Sequence, residues 1–516
     1  MALAALFLLF AALELWPVWA FRYFPSQDGP AHLYNASVLA WYADWPLVRE
    51  YFDVRFPVAG NLASHTALGL LIPFVGPQTA EKLLLSAIIL LFPVSAWLAA
   101  GAFGAPSREF ALWGFLLGRG ALFYLGFWNF CLAAGALLLL PALAARWEAR
   151  PGRGVAAGIA LLSGALYLCH SIAWAVAVAG ALAVWAWSLG PGRRRGDEDA
   201  LARRLRRLAP AAAAAVWPAL LLAIYVVTTE RLGAGPVMPP RDNAWSFYSG
   251  AFLGLIPGLM PVRWLAMGFA ASMGAVALIL RLRRRDGPAP SDSLLILAGL
   301  LALFMAFLPS HVGSAGFLTM RFALMTGVVL FAWLACQPWP GWARTLSVAC
   351  SLAAAVLHAR AGSIESQRWQ DVLAELASLR DEIPAGSVVL PAQANRVRPA
   401  YTDPLVHAAG YWAPKEFVYL RNYEAFTPHF PVRFQAGRSP SRTLGLVREL
   451  EAAPARVSIA RYESQRGGRV SHVVVYGAFA ERVLADLPQQ AWDPQGAFEL
   501  VAVSRPRGHA YVYRRR

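Results

Sequence analysis

The sequence predicts an α-helical polytopic membrane protein that carries a small C-terminal α/β domain outside the membrane. Hydrophobic residues make up 58% of the 516 positions and charged residues only 15%, a composition that a soluble globule of this size cannot carry on its surface. Apolar runs recur up to about residue 360, and ordinary globular patterning follows them. We therefore expect a transmembrane domain over residues 1–360 and an extracytoplasmic domain over residues 361–516.

Twelve apolar runs are the candidates for membrane-spanning helices. Most of them approach the roughly 17 to 25 residues that a helix needs to cross a bilayer, and we expect about 11 to 13 spans. The run at 62–77 is short and contains Pro73 and Pro77, so a re-entrant or interfacial segment is the alternative there. The runs cover residues 2–20, 62–77, 80–103, 110–126, 129–145, 153–168, 171–189, 209–229, 263–280, 293–309, 321–336 and 344–360.

Arginine clusters set the expected orientation, because short cytoplasmic loops collect Lys and Arg. Counting spans from these clusters places the tail after residue 361 outside the cytoplasm. If the first loop, residues 22–61, is also external and Arg146, Arg150 and Arg153 are cytoplasmic, one apolar run before residue 146 is not a full crossing. The Ala-rich and Arg-rich composition and the lack of a eukaryotic targeting motif indicate the cytoplasmic (inner) membrane of a bacterium. The strongest clusters comprise Arg193, Arg194, Arg195, Arg203, Arg204, Arg206 and Arg207, then Arg281, Arg283, Arg284 and Arg285.

The net charge of +16 is explained by this topology. Much of the excess lies in the predicted cytoplasmic loops, where it follows from the positive-inside rule and from contact with acidic lipid. We therefore exclude nucleic acid as a partner. The four cysteines all fall in apolar segments, so the sequence shows neither a disulfide framework nor a CxxC metal site.

The tail has the pattern of a small α/β domain. An amphipathic helix is expected over residues 364–381, followed by a turn and a strand at 388–390. Further strands are expected at 456–460, 470–476 and 498–503, an edge strand at 510–513, and helices near 403–412, 441–451 and 478–487.

The most informative local pattern is Gln27-Asp28-Gly29-Pro30-Ala31-His32-Leu33-Tyr34-Asn35, directly after the first apolar run. A helix that begins at the Gly-Pro places Asp28 and His32 on one face, because residues four apart are neighbours on a helix. Without its context the pattern is more commonly a helix cap supplied by Asp28. Its position at the rim of a membrane favours chemistry, since ionisable groups there usually face a cavity. We assign Asp28 and His32 as candidate catalytic residues.

Three further histidines, His65, His170 and His311, are expected on the same side of the membrane as His32. Each alone is commonly a structural residue, but titratable groups that converge in a cavity mark functional sites. Asn35 follows His32 by one turn and is a candidate for orienting the imidazole or binding a substrate. We assign these three histidines and Asn35 to substrate binding.

Other polar residues have simpler explanations. Asp403 and His407 repeat the spacing of four, and we interpret them as an exposed helix pair. Asn422-Tyr423-Glu424 is a weaker candidate for contact with a substrate. Glu14 and Glu81 are equally well explained as structural partners and as active groups.

At this point the chain resembles the polytopic glycosyltransferases of the GT-C superfamily, which use polyprenyl-phosphate sugars as donors. The resemblance is carried by the first apolar segment, the first external loop with Asp28-Gly29-Pro30-Ala31-His32, the body of about 11 to 13 spans, and the external tail. It implies that Asp28 matches the catalytic acid-loop position and acts as general base on an acceptor hydroxyl in an inverting transfer. It also implies a polyprenyl-phosphate-linked sugar donor and a lipid, glycan or protein acceptor in the cell envelope.

This chain has Asp-Gly-Pro where better-known members have Asp-Glu or a DxD pair. No residue is therefore assigned as a metal ligand and no cofactor is identified, although a divalent metal stays an open alternative. The donor phosphate requires positive charge, and the planar fork of arginine suits it. Arg321 is the first candidate for this substrate contact because it opens an expected helix, whose N–H groups favour an anion. Arg119, between Gly118 and Gly120, is the second.

Each arginine also has an alternative role. Arg321 would equally well anchor a helix end at lipid headgroups, and Arg119 would mark a break between helices.

Two alternative functions stay open as well. A transporter or lipid flippase would use Asp28 and the histidines as a relay, and would show inverted repeats and polar groups at the bilayer midplane. A non-catalytic assembly protein would tolerate replacement of Asp28 by Asn.

Overall fold

The computed structural model describes residues 2–189, 198–228, 253, 259–283, 289–311, 316–393, 402–412, 415–427, 429–440, 459–477, 480–481, 489, 493 and 495–516. The chain forms two compact units. Unit 1 comprises Met1–Val18, Val58–Ala63 and Leu85–Gly362, and unit 2 comprises Trp19–Pro57, Ser64–Leu84 and Ser363–Arg516. Most of the expected first loop therefore belongs to the same unit as the tail.

Helices dominate the described chain. Four 3-10 helices lie at Arg108–Trp113, Leu379–Glu382, Ala408–Trp412 and Tyr423–Phe426. The α-helices are α1 (Ala2–Trp19), α2 (Gly29–Trp41), α3 (Pro46–Tyr51), α4 (Ala63–Val75), α5 (Pro77–Ala102), α6 (Gly114–Gly118), α7 (Ala121–Tyr124), α8 (Trp128–Ala136), α9 (Leu139–Ala149), α10 (Arg153–Cys169), α11 (Ser171–Leu189), α12 (Glu198–Val216), α13 (Pro218–Thr228), α14 (Met260–Arg283), α15 (Asp292–Phe307), α16 (Leu318–Ala335), α17 (Gly341–Ser378) and α18 (Ile459–Arg466).

Six helices of the described chain are long and apolar enough to cross a membrane, by length and composition. They are α5, α8 with α9, α11, α14, α16 and α17. The pair α12 and α13, bent by 41°, raises the number to seven if it counts as one span, and α1, α4, α10 and α15 are shorter apolar helices. The polytopic helical class is confirmed. The number of spans and the orientation stay predictions.

One expected span is not a single helix. Residues 110–126 form the end of a 3-10 helix and then α6 and α7, which are separated at Arg119 and Gly120. Arg119 has φ −112° and ψ 40°, outside the helical region. The low helix propensity of the flanking Gly118 and Gly120 explains why the break falls here. The expectation of a break at Arg119 is confirmed, and that of one span over 110–126 is wrong.

A second difference concerns the helices expected at 344–360 and 364–381. They are one continuous helix, α17, of 38 residues. No proline interrupts this stretch, so the backbone hydrogen bonds continue through Gly362. At 1.5 Å per residue the helix is about 57 Å long, and its residues up to Gly362 belong to unit 1 and those from Ser363 to unit 2.

Aromatic stacking organises the core of unit 1. The indole of Trp113 stacks on Phe269 and Phe331, with ring centroids 4.7 and 5.1 Å away and interplanar angles of 20° and 12°. Its Nε1 donates a hydrogen bond to Ser347 Oγ at 3.1 Å. Trp113 thus joins the first 3-10 helix to α14, α16 and α17, which satisfies its one polar atom inside an apolar core.

Unit 2 contains a five-stranded mixed sheet in the order β3-β2-β5-β7-β6 and a separate antiparallel pair of β1 and β4. The parallel strand β2 pairs with both β3 and β5, whereas β7 pairs antiparallel with β5 and β6. Strands β2 and β5 are buried along their whole length, so the core lies at the centre of the sheet. The strands are β1 (Phe52–Val54), β2 (Ser387–Gln393), β3 (Phe417–Tyr419), β4 (Val432–Phe434), β5 (His472–Tyr476), β6 (Phe498–Val503) and β7 (Ala510–Arg515).

The strands expected at 388–390, 470–476 and 498–503 are confirmed as β2, β5 and β6. The strand expected at 510–513 is confirmed as β7, but its expected edge position is wrong, because β7 lies between β5 and β6. The edge strand on that side is β6, with Leu500 and Val503 exposed.

The remaining expectations for the tail are wrong or fall outside the described residues. The helix expected near 403–412 is only the 3-10 helix Ala408–Trp412. Ile459, expected in a strand at 456–460, begins α18. The helix expected at 441–451, and most of that at 478–487, lies outside the described residues.

Helix α2 is held in the interior of unit 2. It approaches the 3-10 helix that contains Gly410, where a Cβ atom would collide with the carbonyl oxygen of Pro30. Only glycine permits this approach. The Tyr34 hydroxyl donates to the Phe417 carbonyl at 2.8 Å and accepts the Tyr419 N–H at 3.2 Å. These contacts tie α2 to β3 and position the residues at its N-terminus.

Candidate active site

The side chain of Asp28 does not cap the helix that follows it. Asp28 occupies the N-cap position of α2, and its carbonyl oxygen accepts the N–H of His32 at 3.1 Å. The helix begins at Gly29, as expected, but the carboxylate makes no capping hydrogen bond. The capping interpretation of this side chain is therefore wrong. The residue is buried, with 8% of its surface exposed.

Three polar side chains surround the Asp28 carboxylate. The hydroxyl of Tyr423 donates a hydrogen bond to it. Nε2 of His407 lies 3.8 Å from Oδ1, and Nε2 of Gln27 donates to the same oxygen at 3.4 Å. Burial raises the pKa of Asp28 to about 6, against the lowering effect of the His32 charge and these hydrogen bonds. The carboxylate is thus a stronger base than an ordinary aspartate.

His407 is buried beside this carboxylate and does not lie on an exposed helix. Its ring stacks on Tyr423, with centroids 4.6 Å apart and an angle of 28°, and its Nδ1 lies 3.4 Å from the Tyr419 hydroxyl. Burial lowers the pKa of His407 to about 3, so the ring is neutral at physiological pH. Asp403 instead accepts a hydrogen bond from Gln393 Nε2 at 2.7 Å. The interpretation of the two residues as an exposed pair is wrong.

Glu424 is the centre of a second group of contacts in unit 2. Its fully buried carboxylate contacts Nδ1 of His32, Nε2 of His65 at 2.8 Å and Nδ2 of Asn35 at 2.6 Å. Burial by itself raises the pKa of Glu424, but the charges and hydrogen bonds of the two imidazoles outweigh it, so the pKa lies below its usual range. The atoms of the two histidines and the glutamate that are able to bind a metal all lie within 4.8 Å of one another.

Amide and aromatic side chains enclose Glu424. Nδ2 of Asn422 donates to Oδ1 of Asn35 at 2.7 Å, and both amides are fully buried. Phe430 packs on the imidazole of His65, with centroids 5.2 Å apart. Three residues singled out from the sequence, on α2 and α4, thus meet at one glutamate of the tail.

In unit 1 the structure brings Arg321 to His170. Nη1 of Arg321 contacts Nε2 of His170, and the guanidinium lies 4.9 Å from the ring centroid of Phe127 and 5.2 Å from that of Phe130. Within the described ranges, the buried Nε of Arg321 has no hydrogen-bond partner and no acidic side chain pairs with the guanidinium. Arg321 lies in the first turn of α16, which begins at Leu318.

His311 is connected to this group through aromatic rings. Its Nδ1 lies 3.1 Å from Ser310 Oγ, and its ring packs on Phe317 with centroids 5.4 Å apart. Phe317 in turn packs on Phe127 at 5.5 Å, beneath the Arg321 guanidinium. One aromatic cluster of unit 1 therefore lies next to three residues that are predicted to bind substrate, His170, His311 and Arg321.

Arg119, the other predicted phosphate ligand, is engaged in an ion pair. Its Nε and Nη2 each lie 2.8 Å from Oε2 of Glu14, and its Nη1 donates to the Tyr124 hydroxyl at 2.7 Å. Nδ1 of His358 lies 2.9 Å from the same glutamate oxygen. All four side chains are buried, at most 1% exposed. A role for Arg119 in substrate binding stays a prediction.

The residues that sequence reasoning did not assign to the site are His407, Tyr423 and Glu424. They come from residues 402–430, where His, Asn, Tyr and Glu are concentrated between short turns. That concentration is the signal for these residues in the sequence, which predicts only a weaker substrate contact at Asn422-Tyr423-Glu424.

No protein-family model and no curated protein matches the sequence. The fold is similar to that of ArnT from Cupriavidus metallidurans bound to undecaprenyl phosphate, with a TM-score of 0.55 and 12% identity over 99% of this chain and 97% of ArnT. The apo structure of ArnT gives a TM-score of 0.55 and 12% identity over 99% and 98%. The arabinofuranosyltransferase AftD from Mycobacteria gives 0.46 and 14% identity over 98% of this chain and 39% of its own.

The likeness to ArnT runs through both units, from the first apolar helix to the last strand, because 99% of the chain is covered. The expected architecture, a helical body with a small C-terminal sheet region, is thereby confirmed as that of ArnT. This chain has the fold of ArnT.

Proposed function

We propose that this protein is a membrane glycosyltransferase that moves a sugar from a polyprenyl-phosphate donor to an acceptor hydroxyl. The observation that carries the proposal is the buried carboxylate of Asp28, which is not used for capping, in a chain with the ArnT fold. ArnT binds undecaprenyl phosphate, and a carrier of that class is the proposed donor here. The acceptor is a lipid, a glycan or a protein of the cell envelope.

Asp28 is the proposed general base. It accepts the proton of the acceptor hydroxyl while the oxygen attacks the anomeric carbon, and the polyprenyl phosphate departs with the electron pair of the broken bond. The pKa of about 6 that burial produces supports this role, because the group is mostly ionised at neutral pH and yet basic. The hydrogen bond from Tyr423 and the neutral ring of His407 hold the carboxylate in place.

Arg321 and His170 are the proposed ligands of the donor phosphate. A guanidinium that lies on two aromatic rings, with an unpaired Nε and no carboxylate partner among the described residues, keeps its N–H groups available for an anion. Phosphate suits it because arginine binds phosphate oxygens through two parallel N–H donors. His311 adds a further imidazole close to the same aromatic cluster.

The proposed location of the reaction is the external face of a bacterial cytoplasmic membrane, with the tail domain outside. The arginine clusters between the apolar runs support this orientation, because they are typical of cytoplasmic loops. An inverting outcome is proposed from the single base in the motif, which would act on an acceptor that attacks opposite to the leaving phosphate.

The test is transfer by the purified full-length protein, with a panel of radiolabelled polyprenyl-phosphate sugars and an extract of envelope acceptors. We expect Asp28→Asn to lower turnover about 10²- to 10⁴-fold, the range of general-base catalysis. Asp44→Asn, at an exposed aspartate after α2, is the matched control and should keep wild-type turnover. The anomeric configuration of the product reports inversion or retention.

Two results would contradict the proposal. If the wild type transfers no sugar from any polyprenyl phosphate, the protein is not this kind of enzyme. If Asp28→Asn and wild type turn over equally while both unfold at the same temperature, Asp28 is not the base.

A further inference from the structure

We propose that His32, His65 and Glu424 form a binding site for a divalent transition-metal ion, with Zn²⁺ as the best match. The three residues lie on α2, α4 and the 3-10 helix Tyr423–Phe426, far apart in the chain but together in unit 2. Their ligating atoms lie within 4.8 Å of one another. The site consists of residues of unit 2 alone, and metal binding to it can be measured without the proposed transfer reaction.

The donor set selects the kind of ion. Two imidazole nitrogens and one carboxylate oxygen are typical ligands of Zn²⁺ and of other first-row transition metals, whereas Mg²⁺ and Ca²⁺ prefer oxygen alone. Around a tetrahedral ion with bonds of about 2.0 to 2.2 Å, ligand atoms lie about 3.3 to 3.6 Å apart. His65 Nε2 and Glu424 Oε2 are 2.8 Å apart, so small side-chain rotations would admit the ion. Three protein ligands leave a fourth position for water or substrate.

The surroundings have the features that hold metal ligands in orientation. Asn35 Nδ2 donates to Glu424 Oε2 at 2.6 Å, and Asn422 in turn donates to Asn35 at 2.7 Å. Hydrogen bonds of this kind fix a ligating carboxylate and tune its affinity. The ring of Phe430 packs against His65 and excludes water on that side. All three ligands are buried, and Glu424 and His65 have no exposed surface.

An ion at this position would do more than bind. His32 lies one turn beyond Asp28 on α2, and Glu424 follows Tyr423, which hydrogen-bonds to Asp28. The ion would therefore bind together the two segments that carry the carboxylate and its phenol partner. It would act as a positioning ion for α2, and its own divalent charge would offset the buried charge of Glu424.

The test is a Co²⁺ titration of the full-length protein, purified without a polyhistidine tag and treated with EDTA, because visible absorption of Co²⁺ reports nitrogen and oxygen coordination. We expect one Co²⁺ per chain, displaced by Zn²⁺. His32→Gln, His65→Gln and Glu424→Gln should each abolish the absorption band. Asn35→Ala should lower the affinity about 10- to 100-fold, as for other partners of metal ligands.

His472→Gln is the matched control, since His472 is a buried histidine of β5 in the same unit, bonded to Ser471. It should bind Co²⁺ as the wild type does. The proposal is overturned if the EDTA-treated wild type binds neither Co²⁺ nor Zn²⁺ in the submillimolar range. It is also overturned if the three ligand variants, with unfolding temperatures equal to that of the wild type in EDTA, bind as the wild type does.

The wild-type titration decides the matter even where a ligand variant fails to fold, because it needs no substitution. Metal binding without sugar transfer would keep this site and reject the proposed enzyme. Transfer that persists in EDTA without any metal binding would do the reverse, and Glu424 would then be a carboxylate held by two imidazole hydrogen bonds alone.

Discussion

Replacing Glu14 by glutamine should destabilise unit 1 strongly, because it leaves the Arg119 guanidinium buried without its counter-charge. The carboxylate receives Nε and Nη2 of Arg119 at 2.8 Å each and Nδ1 of His358 at 2.9 Å, and these side chains are almost completely buried. Removing one partner of a buried ion pair costs about 3 to 5 kcal/mol. Arg119→Met should cost a similar amount, since it leaves Glu14 with His358 alone.

A double variant distinguishes the contribution of the ion pair to stability from the cost of leaving one of its charges unpaired. Glu14→Leu with Arg119→Met removes both charges and should be more stable than either single variant, because paired removal of a buried ion pair is often neutral. The assay is unfolding of the full-length protein in mixed detergent micelles with increasing dodecyl sulfate, followed by tryptophan fluorescence. Sugar transfer by the double variant is measured in parallel.

Stability and transfer are both needed to interpret these variants. Single variants that each lose less than about 1 kcal/mol, or that lose stability additively in the double variant, would refute the reasoning that the ion pair acts as a unit. Transfer by a stable double variant at the wild-type rate would assign Arg119 to structure. Loss of transfer in a stable double variant would favour the substrate role that its position in the sequence predicts.

Two further predictions concern the groups that carry the proposed reaction. Arg321→Met should raise the KM for the polyprenyl donor about 10- to 100-fold, which is the contribution of charge-assisted hydrogen bonds. Arg321→Lys should restore the charge but not the paired N–H donors, so it should recover only part of the loss. Equal donor KM values in the wild type and both variants would show that Arg321 does not bind the phosphate. Gly410→Ala should lower both thermal stability, by about 1 to 3 kcal/mol, and turnover, because the new Cβ would push Pro30 and the start of α2 away. Gly437→Ala, with open space around its Cα, is the control. Thermal stability and turnover equal to those of the wild type in Gly410→Ala would show that α2 does not need this close approach.

Hydrophobicity alone was sufficient to predict the helical membrane class and the position of most apolar helices. A bilayer offers no hydrogen-bond partners to the backbone, so each crossing must be a long apolar helix and leaves a local signal. The same locality explains why the start of α2 was predicted at Gly29 and the break at Arg119 beside two glycines. The expected edge strand at 510–513 failed, because strand order depends on partners elsewhere in the chain.

Only some residues of the candidate site were predicted from the sequence. Asp28 and His32 were recognisable because their spacing of four residues is local, but capping and chemistry give the same pattern in the sequence. The structure excludes the cap, since the carboxylate makes no capping hydrogen bond and contacts Tyr423 and His407 instead, and the catalytic role stays a prediction. His407 was misread as exposed for the same reason, because local spacing carries no information on burial.

What the sequence by itself determined about this protein is the set of properties that each segment carries alone: apolar length, charge bias between spans, and the helix that opens after Asp28. What only the tertiary structure decided is which distant side chains meet. His65 and Glu424 are 359 positions apart, and Glu14 and Arg119 are 105 apart, yet each pair is in contact. Such contacts arise from packing of the whole chain, which brings buried polar groups to the partners they require and leaves no periodic trace in the sequence.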